Sequence, residues 1–435
     1  LRVRLINRDT YNLLFVDMHH IICDGISVCN FMSYLASVYN GKLIEVPELQ
    51  YKDYSEWINN RSIESQRAFW KHVFTNNYTN LEIPTDFARP PLQSFNGTTI
   101  DFYIEGRHYN AIKKLLKKYR VTDYMFLLST IMVLLQKFSR QEDIVVGTPI
   151  SGRVNAGTEK MLGMFVNTLA MRGYPRKNRS FLDFMLETAS FCREAYQNQE
   201  VPFTEIVQDY CVERDTSRNP IFNVLVAVQN IDEVVCEFEG GRSQIVERIG
   251  TTSKFDLSFY IGETENQYKF TLEYCTDLFT EETIRNLFEK LMIILEQVCR
   301  TPDIIISDIR TTDEAEYYKV VEKFNDNNSL YPSDKTVHEL FSEVALKYPT
   351  STAAIFENNS ITYKDLDIRS NQLANLLREQ YGVLPNSFVA IISDPGIELI
   401  IGILAILKCG CAYVPIDKDY PQQRIDYIIK DSGVS

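Results

Sequence analysis

Seven residues near the start of the chain, His19-His20-Ile21-Ile22-Cys23-Asp24-Gly25, constrain the fold most. The apolar run Leu13-Leu14-Phe15-Val16 leads into them. Apolar residues at 28, 31, 32, 35 and 38 follow. The run has the character of a strand, and the spacing that follows is one face of a helix. The seven residues are therefore expected to turn a strand into a helix, Ile26–Tyr39. Histidine is scarce, five in 435 residues, so two side by side in one turn call for an explanation.

Imidazole suits a reaction that moves a proton near neutral pH. Asp24 could orient a histidine, as carboxylates do in catalytic triads, or pair with an arginine elsewhere and hold the turn. If the strand runs on through both histidines, they point to opposite faces, one to a cleft and one to a supporting role. Adjacent histidines converge poorly on one ion, with only Asp24 nearby as a third ligand, so no metal is expected. Cys23 lies between apolar neighbours and is not expected to be a nucleophile. On the residues alone, a packing role stays open beside the catalytic one: two buried histidines bonded to backbone, and an aspartate capping the helix.

Composition narrows the function classes. A net charge of −13 argues against nucleic-acid binding and a basic membrane-binding face. The nine cysteines form no CxxC pair and no Cys/His cluster at zinc spacing, the pattern of reduced thiols in a cytoplasmic protein. The longest apolar runs, Met125–Leu135 and Leu399–Leu407, fall short of the roughly 20 residues of a membrane span. At this length two or three globular units are expected. The chain opens on Leu1 in mid-pattern and stops at Ser435 without an evident terminal element, as a fragment of a longer polypeptide would.

Along the chain, Leu1–Ile6 and Tyr11–Met18 are expected to form a hairpin about Asn7-Arg8-Asp9-Thr10. Helices are expected from 57 to about Phe74, over Tyr109–Tyr119, from Thr122 to Phe138, over Phe181–Asn198 and Thr204–Tyr210, and from Thr280 to Arg300. Strands are expected over Asp143–Ile150, Phe165–Met171, Ile221–Gln229, Val234–Glu239, Gln244–Ile249, Phe255–Gly262 and Tyr268–Tyr274, with a further short one within Asp303–Ile309. Residues 76–98, with Pro84, Pro90, Pro91 and Gly97, are expected to be loop at a lobe boundary. The Asn- and Asp-rich stretch about Asn325-Asp326-Asn327-Asn328 marks a linker, and a second α/β pattern begins at Val337.

His19-His20-x-x-x-Asp24-Gly25 resembles the signature of the condensation domains of nonribosomal peptide synthetases. Four further stretches resemble that family's motifs in its order: Tyr51-Lys52-Asp53-Tyr54-Ser55-Glu56-Trp57, Gly163-Met164-Phe165-Val166-Asn167-Thr168 with Arg172, Asn198-Gln199-Glu200-Val201-Pro202-Phe203, and Arg214-Asp215-Thr216-Ser217-Arg218-Asn219-Pro220. Downstream, Ile361-Thr362-Tyr363-Lys364-Asp365-Leu366 and Leu407-Lys408-Cys409-Gly410-Cys411-Ala412-Tyr413-Val414-Pro415-Ile416-Asp417 resemble the beginning of an adenylation domain, with cysteines where the family has alanine. The family's earlier condensation motifs are absent, as is the phosphate loop of its adenylation domains.

The resemblance implies an α/β (α+β sandwich) fold: the chloramphenicol acetyltransferase-like, two-lobed condensation fold, followed by the N-terminal part of an adenylate-forming enzyme fold. The implied boundaries are 1–95 for the remainder of the first lobe, 96–305 for the second, 306–335 for the linker and 336–435 for the adenylation fragment. It implies that an aminoacyl amine on a downstream carrier protein attacks an aminoacyl or peptidyl thioester on an upstream one, as in antibiotic biosynthesis. It leaves the donor's configuration open; the look of the region around 18–57 gives an L-configured donor as the expectation. The carriers supply phosphopantetheine arms; a complete adenylation domain would use ATP and magnesium. His20 would act as base or positioner, with His19 and Asp24 as supports. Gly25 would leave room for the acceptor and offer an N–H to the oxyanion. Asn167, Ser27 and Trp57 would position substrate, and Arg172, Arg214, Asp215 and Arg218 would hold structure. The same fold also hosts epimerisation domains, CoA-dependent acyltransferases and catalytically silent docking platforms.

Overall fold

A computed structural model describes residues 1–44, 48–75, 78–210, 215–229, 237–243 and 251–434. The chain divides into two compact units, Leu1–Phe324 and Asn325–Ser435. The first begins with an antiparallel hairpin of β1 (Arg2–Asn7) and β2 (Asn12–Asp17), in register from Arg2 opposite Asp17. A short 3-10 turn, His20–Ile22, joins it to α1 (Gly25–Tyr39). Then come α2 (Tyr51–Asn59) and α3 (Glu64–Val73). The strand ends at Asp17, so alternation does not reach the histidines, and their orientations are set by the 3-10 turn instead.

A six-stranded sheet carries the rest of the first unit. Its members are β3 (Gly97–Glu105), β4 (Ile144–Ile150), β5 (Asn167–Gly173), β6 (Val224–Gln229), β9 (Leu257–Thr264) and β10 (Gln267–Cys275), after the short ribbon β7 (Glu237–Phe238) and β8 (Gly241–Arg242). The order across the sheet is β3-β10-β9-β6-β4-β5. The helices are α4 (Gly106–Tyr119), α5 (Asp123–Ser139), α6 (Phe181–Gln197), α7 (Phe203–Tyr210) and α8 (Glu281–Arg300). Thr122, Ser180 and Thr280 cap α5, α6 and α8 by accepting backbone N–H bonds from Met125, Asp183 and Thr283.

Apolar pattern explains the packing. Helix α5 is apolar all round, and every residue from Tyr124 to Gln136 is buried. Helix α8 buries one stripe, Ile284, Leu287, Phe288, Leu291, Ile294, Leu295 and Val298. No single described helix is long and apolar enough to cross a membrane. Trp70, Phe74 and Leu81 join the same core as the six-stranded sheet, so this stretch, expected in the first lobe, packs with the second.

Several expectations change. Strand β3 lies where loop was expected; it pairs with β10 along its whole length, and that partner is distant in sequence. Asp303–Ile309 contains only a bridge from Ile305 to Ser180 and a 3-10 turn over Ile306–Asp308. Ile306 and Ile309 are buried in the first core, and residues 306–324, expected as linker, remain in the first unit. Most of the expected strands Val234–Glu239 and Gln244–Ile249 lies outside the described residues.

The second unit starts with α10 (Val337–Lys347), after the short helix α9 (Glu314–Tyr317) and a π-helical turn over Tyr318–Lys323 at the end of the first. Strands β11 (Thr352–Phe356) and β12 (Asn359–Thr362) pair antiparallel, and α11 (Tyr363–Glu379) follows. Strands β13 (Phe388–Ile391) and β14 (Ala412–Pro415) pair in parallel across α12 (Ile397–Lys408), and α13 (Gln422–Ser432) comes last. Cys409 and Cys411 are buried, and the Cys409 thiol faces the Ala374 carbonyl. They fill space here as small apolar residues.

Candidate active site

The turn after β2 is built from its backbone outward. His19 is extended and caps the 3-10 turn: its Nδ1 accepts from the Ile21 N–H at 3.1 Å. In the neutral ring the proton therefore sits on Nε2. The Cys23 thiol is buried beneath, 3.7 Å from the His19 carbonyl. His20 opens the turn, and both histidines are exposed, not buried. The His20 imidazole has no hydrogen-bond partner among the described residues.

Asp24 is 2% exposed and bonds no histidine ring among the described residues. Its Oδ1 accepts from the Ser27 N–H at 2.7 Å and so caps α1. Arg153 Nη2 donates to both carboxylate oxygens, at 2.9 and 3.1 Å, and the Phe165 N–H reaches Oδ2 at 3.2 Å. Burial by itself would raise the carboxyl's pKa; the bonds from Ser27, Arg153 and Phe165 outweigh it and hold the pKa below the ordinary value. Of the three roles open to Asp24, the geometry shows two, the pairing with arginine and the capping of α1.

Arg153 is the residue missed in the sequence. It follows β4 in the run Ser151-Gly152-Arg153. The signal was an arginine in a glycine-containing loop, flanked by apolar strands, where a buried acid needs a cation. Its other nitrogen donates to the Thr158 and Met161 carbonyls, and its guanidinium lies 4.1 Å from the centre of the Phe165 ring. Ser27 is 1% exposed and completes the lock: it accepts from Arg153 and from the Gly163 N–H, and donates to the Gly163 carbonyl at 2.8 Å. The Tyr51 hydroxyl donates to the Met164 carbonyl at 2.7 Å, and its ring covers Gly163 so closely that a Cβ there would lie 2.1 Å from it. The turn at His19–Gly25, α1, α2 and the loop before β5 are thus one connected piece.

Gly25 is the first residue of α1. Its N–H has no partner among the described residues, as is usual for a helix first turn. A Cβ built on it would meet nothing within 4 Å, so the protein's own packing does not require glycine there.

The remaining expected residues separate by role. Asn167 spends both amide hydrogens on the Gln199 and Val201 carbonyls, at 2.9 and 2.7 Å, and holds the loop before α7. Trp57 is 42% exposed, beneath the Arg61 guanidinium at 5.0 Å. Arg172 grips Asp143 through two bonds, at 2.8 and 2.6 Å, and the Val73 carbonyl. Arg218 pairs with Glu82 and Asp215. Arg214 lies outside the described residues. Glu200 binds Arg61 and Gln66, tying α3 to the loop after α6. A second pair absent from the sequence reading, Arg89 with Asp256, fastens the loop before β3 to β9.

A family profile described as Condensation domain matches residues 1–321, and one described as AMP-binding enzyme matches residues 341–435. The chain is 40% identical over 441 residues to gramicidin S synthase 2 of Aneurinibacillus migulanus, covering 100% of this chain and 10% of that protein. It is 39% identical over 428 residues to bacitracin synthase 3 of Bacillus licheniformis, covering 98% of this chain and 7% of that protein. The chain thus spans about a tenth of the length of such relatives. Among solved structures, a four-domain nonribosomal peptide synthetase bound to AMP and glycine has a TM-score of 0.72 at 21% identity, over 96% of this chain and 33% of that one. The X-domain from teicoplanin biosynthesis has a TM-score of 0.65 at 24% identity, over 71% of this chain and 74% of that one. At these identities the structures speak for the fold.

Proposed function

The chain belongs to the condensation-domain family of nonribosomal peptide synthetases, continued by a segment of an AMP-binding enzyme, and we propose that its first unit serves peptide-bond formation between two carrier-bound thioesters. One observation carries this reading. An unpartnered, exposed His20 imidazole sits on a turn whose underside is locked by the buried Asp24–Arg153 pair, beside the free N–H of Gly25. A fixed turn with one free base and one free N–H suits a reaction whose cost is mostly positioning.

The amine of a downstream aminoacyl thioester attacks the carbonyl of an upstream one. The C–N bond forms, the C–S bond breaks, and the amine's proton passes by way of His20 to the leaving thiolate. General-base help of this kind is worth roughly 10²–10⁴-fold. In this reading the Gly25 N–H donates to the developing oxyanion. His19 and Asp24 act as supports, the first capping the turn and the second fixing it to Arg153. Ser27 supports the turn in the same way. Asn167 and Trp57 are assigned to the walls of the site. Arg172, Asp215 and Arg218 are structural.

Phosphopantetheine belongs to the carrier domains and delivers the thioesters. The open space over Gly25 is consistent with room for such an arm. ATP and magnesium serve complete AMP-binding enzymes. Glycines between 341 and 435 are scattered, with no phosphate-cradling loop, so no step is derived through them. The partners proposed are an upstream carrier, a downstream carrier and the adjoining adenylation domain, in the cytoplasm.

The test loads two carrier proteins with defined aminoacyl groups and adds the full-length polypeptide. Dipeptide is the expected product. An epimerised donor, a free-CoA dependence or no product would favour, in turn, an epimerisation domain, a CoA-dependent acyltransferase or a docking platform.

A further inference from the structure

The centre of the six-stranded sheet has an opening. Strand β4 pairs with β5 from Ile144 to Ile150, and β6 pairs with β9 from Val224 to Gln229. Between β4 and β6, neighbours in the same sheet, one register pair is present among the described residues, Gly147 opposite Leu225. On one side of that pair Phe222 fills the seam, so closely that a Cβ on Gly147 would sit 2.1 Å from its ring. On the other side the strands part. Thr148 reaches across with its side chain, donating to the Val226 carbonyl at 3.0 Å, and Pro149 has no N–H to offer.

The parted strands leave a cavity of about 200 Å³, lined by Tyr124, Thr148, Pro149, Tyr196 and Val228 among others. Topology puts it at the catalytic end of the sheet. Strand β4 runs from Ile144 toward Arg153, whose guanidinium holds Asp24. Helix α5 returns to the start of β4, so its first turn, with Tyr124, lies at the far end of that strand. Antiparallel β5 begins opposite Ile150, and α6 runs back so that Tyr196 reaches the same end. A chain of contacts joins the two places: Phe165 bonds Asp24, Asn167 bonds the Gln199 carbonyl, and Gln199 bonds the Tyr196 carbonyl.

The lining defines the ligand class. The Tyr124 hydroxyl and Thr148 Oγ1 are 2.6 Å apart and satisfy each other. The Tyr196 hydroxyl has no partner among the described residues. The one carboxylate at the rim, Asp123, is taken by Lys113 and the Tyr268 hydroxyl. A charged guest would find no free counter-charge; a neutral hydrogen-bonding group would find a free hydroxyl.

We propose that the slot between β4 and β6 receives the side chain of one carrier-bound aminoacyl substrate and selects for a neutral, hydrogen-bonding one through Tyr196. The proposal rests on the peptide-bond reading above. Tyr196 is a specificity residue here, not a catalytic one.

The test offers the full-length polypeptide threonyl and valyl thioesters in competition, near-isosteric and differing in one hydroxyl. The pair is varied first as donor and then as acceptor, which identifies the substrate that enters. Tyr196→Phe is expected to lower the threonyl-to-valyl product ratio about five- to tenfold in one of the two arms, the scale of one lost hydrogen bond. Val228→Trp, which fills the slot, is expected to depress products with larger side chains relative to the glycyl product in that same arm. An unchanged ratio in both arms, or an equal fall of both products, overturns the proposal. An unmutated polypeptide that forms no peptide bond at all overturns the functional reading beneath it, a failure distinct from that of the slot.

Discussion

Asp24 and Arg153 are the residues on which the turn depends. Their side chains are 1% and 3% exposed, so each is a buried charge whose counter-charge is the other. Removing one partner of such a pair costs about 3–5 kcal/mol, because the survivor is left without a counter-charge. Arg153→Ala is therefore expected to lower stability by that amount in denaturant unfolding; a change under about 1 kcal/mol would contradict the role. The pH dependence follows from the direction of the Asp24 shift. The folded carboxyl titrates below its ordinary value, so its contribution is fully present above the unfolded pKa of about 3.9 and is lost as pH falls through the lower folded value. The stability gap between the unmutated chain and Asp24→Asn should stay constant from pH 8 to about 5 and close only in stronger acid. A gap that changed between pH 6 and 8 would mean that another group governs the turn.

At the scale of elements, the contact of α1 and α2 with the loop before β5 is what carries the site. Gly163 marks it, since the Tyr51 ring lies where a Cβ would go. Gly163→Ala forces that ring away and is expected to cost about 1–3 kcal/mol in thermal unfolding. A neutral result would show that α2 is not pressed on the loop. Elements of this kind were legible in the sequence wherever local pattern decides them. The hairpin Arg2–Asp17, α1, α5 behind its Thr122 cap and α8 behind Thr280 follow from periodicity and capping alone. Strand β3 was not legible, because proline-rich sequence precedes it and its stability comes from β10, far along the chain. The histidine alternation failed for a related reason: the strand stops at Asp17, and where it stops is set by the 3-10 turn that His19 caps. Arg153 was legible only as a need, an acid requiring a cation. The fold that brings it to Asp24 is a long-range fact.

At the scale of the whole molecule, two compact units of different size share one chain. Ile306 and Ile309 anchor the end of the first, and exposed residues run from 325 to 336 before α10 begins. Limited proteolysis is expected to cut first within 325–336 and to leave a fragment ending near Phe324 that keeps its melting transition. First cuts within 306–317 would place the boundary earlier. The family match covers 1–321 and resumes at 341, which leaves the same interval between the two families. For the first unit, the role proposed for His20 is to serve a reaction between two delivered substrates from a turn held by the Asp24–Arg153 pair. His20→Ala tests it most directly, measured as dipeptide released by the full-length polypeptide from two loaded carriers, with unfolding followed in parallel. A fall of at least about 10²-fold in the rate, with unfolding unchanged, is the expected result. Near-normal turnover would contradict the account.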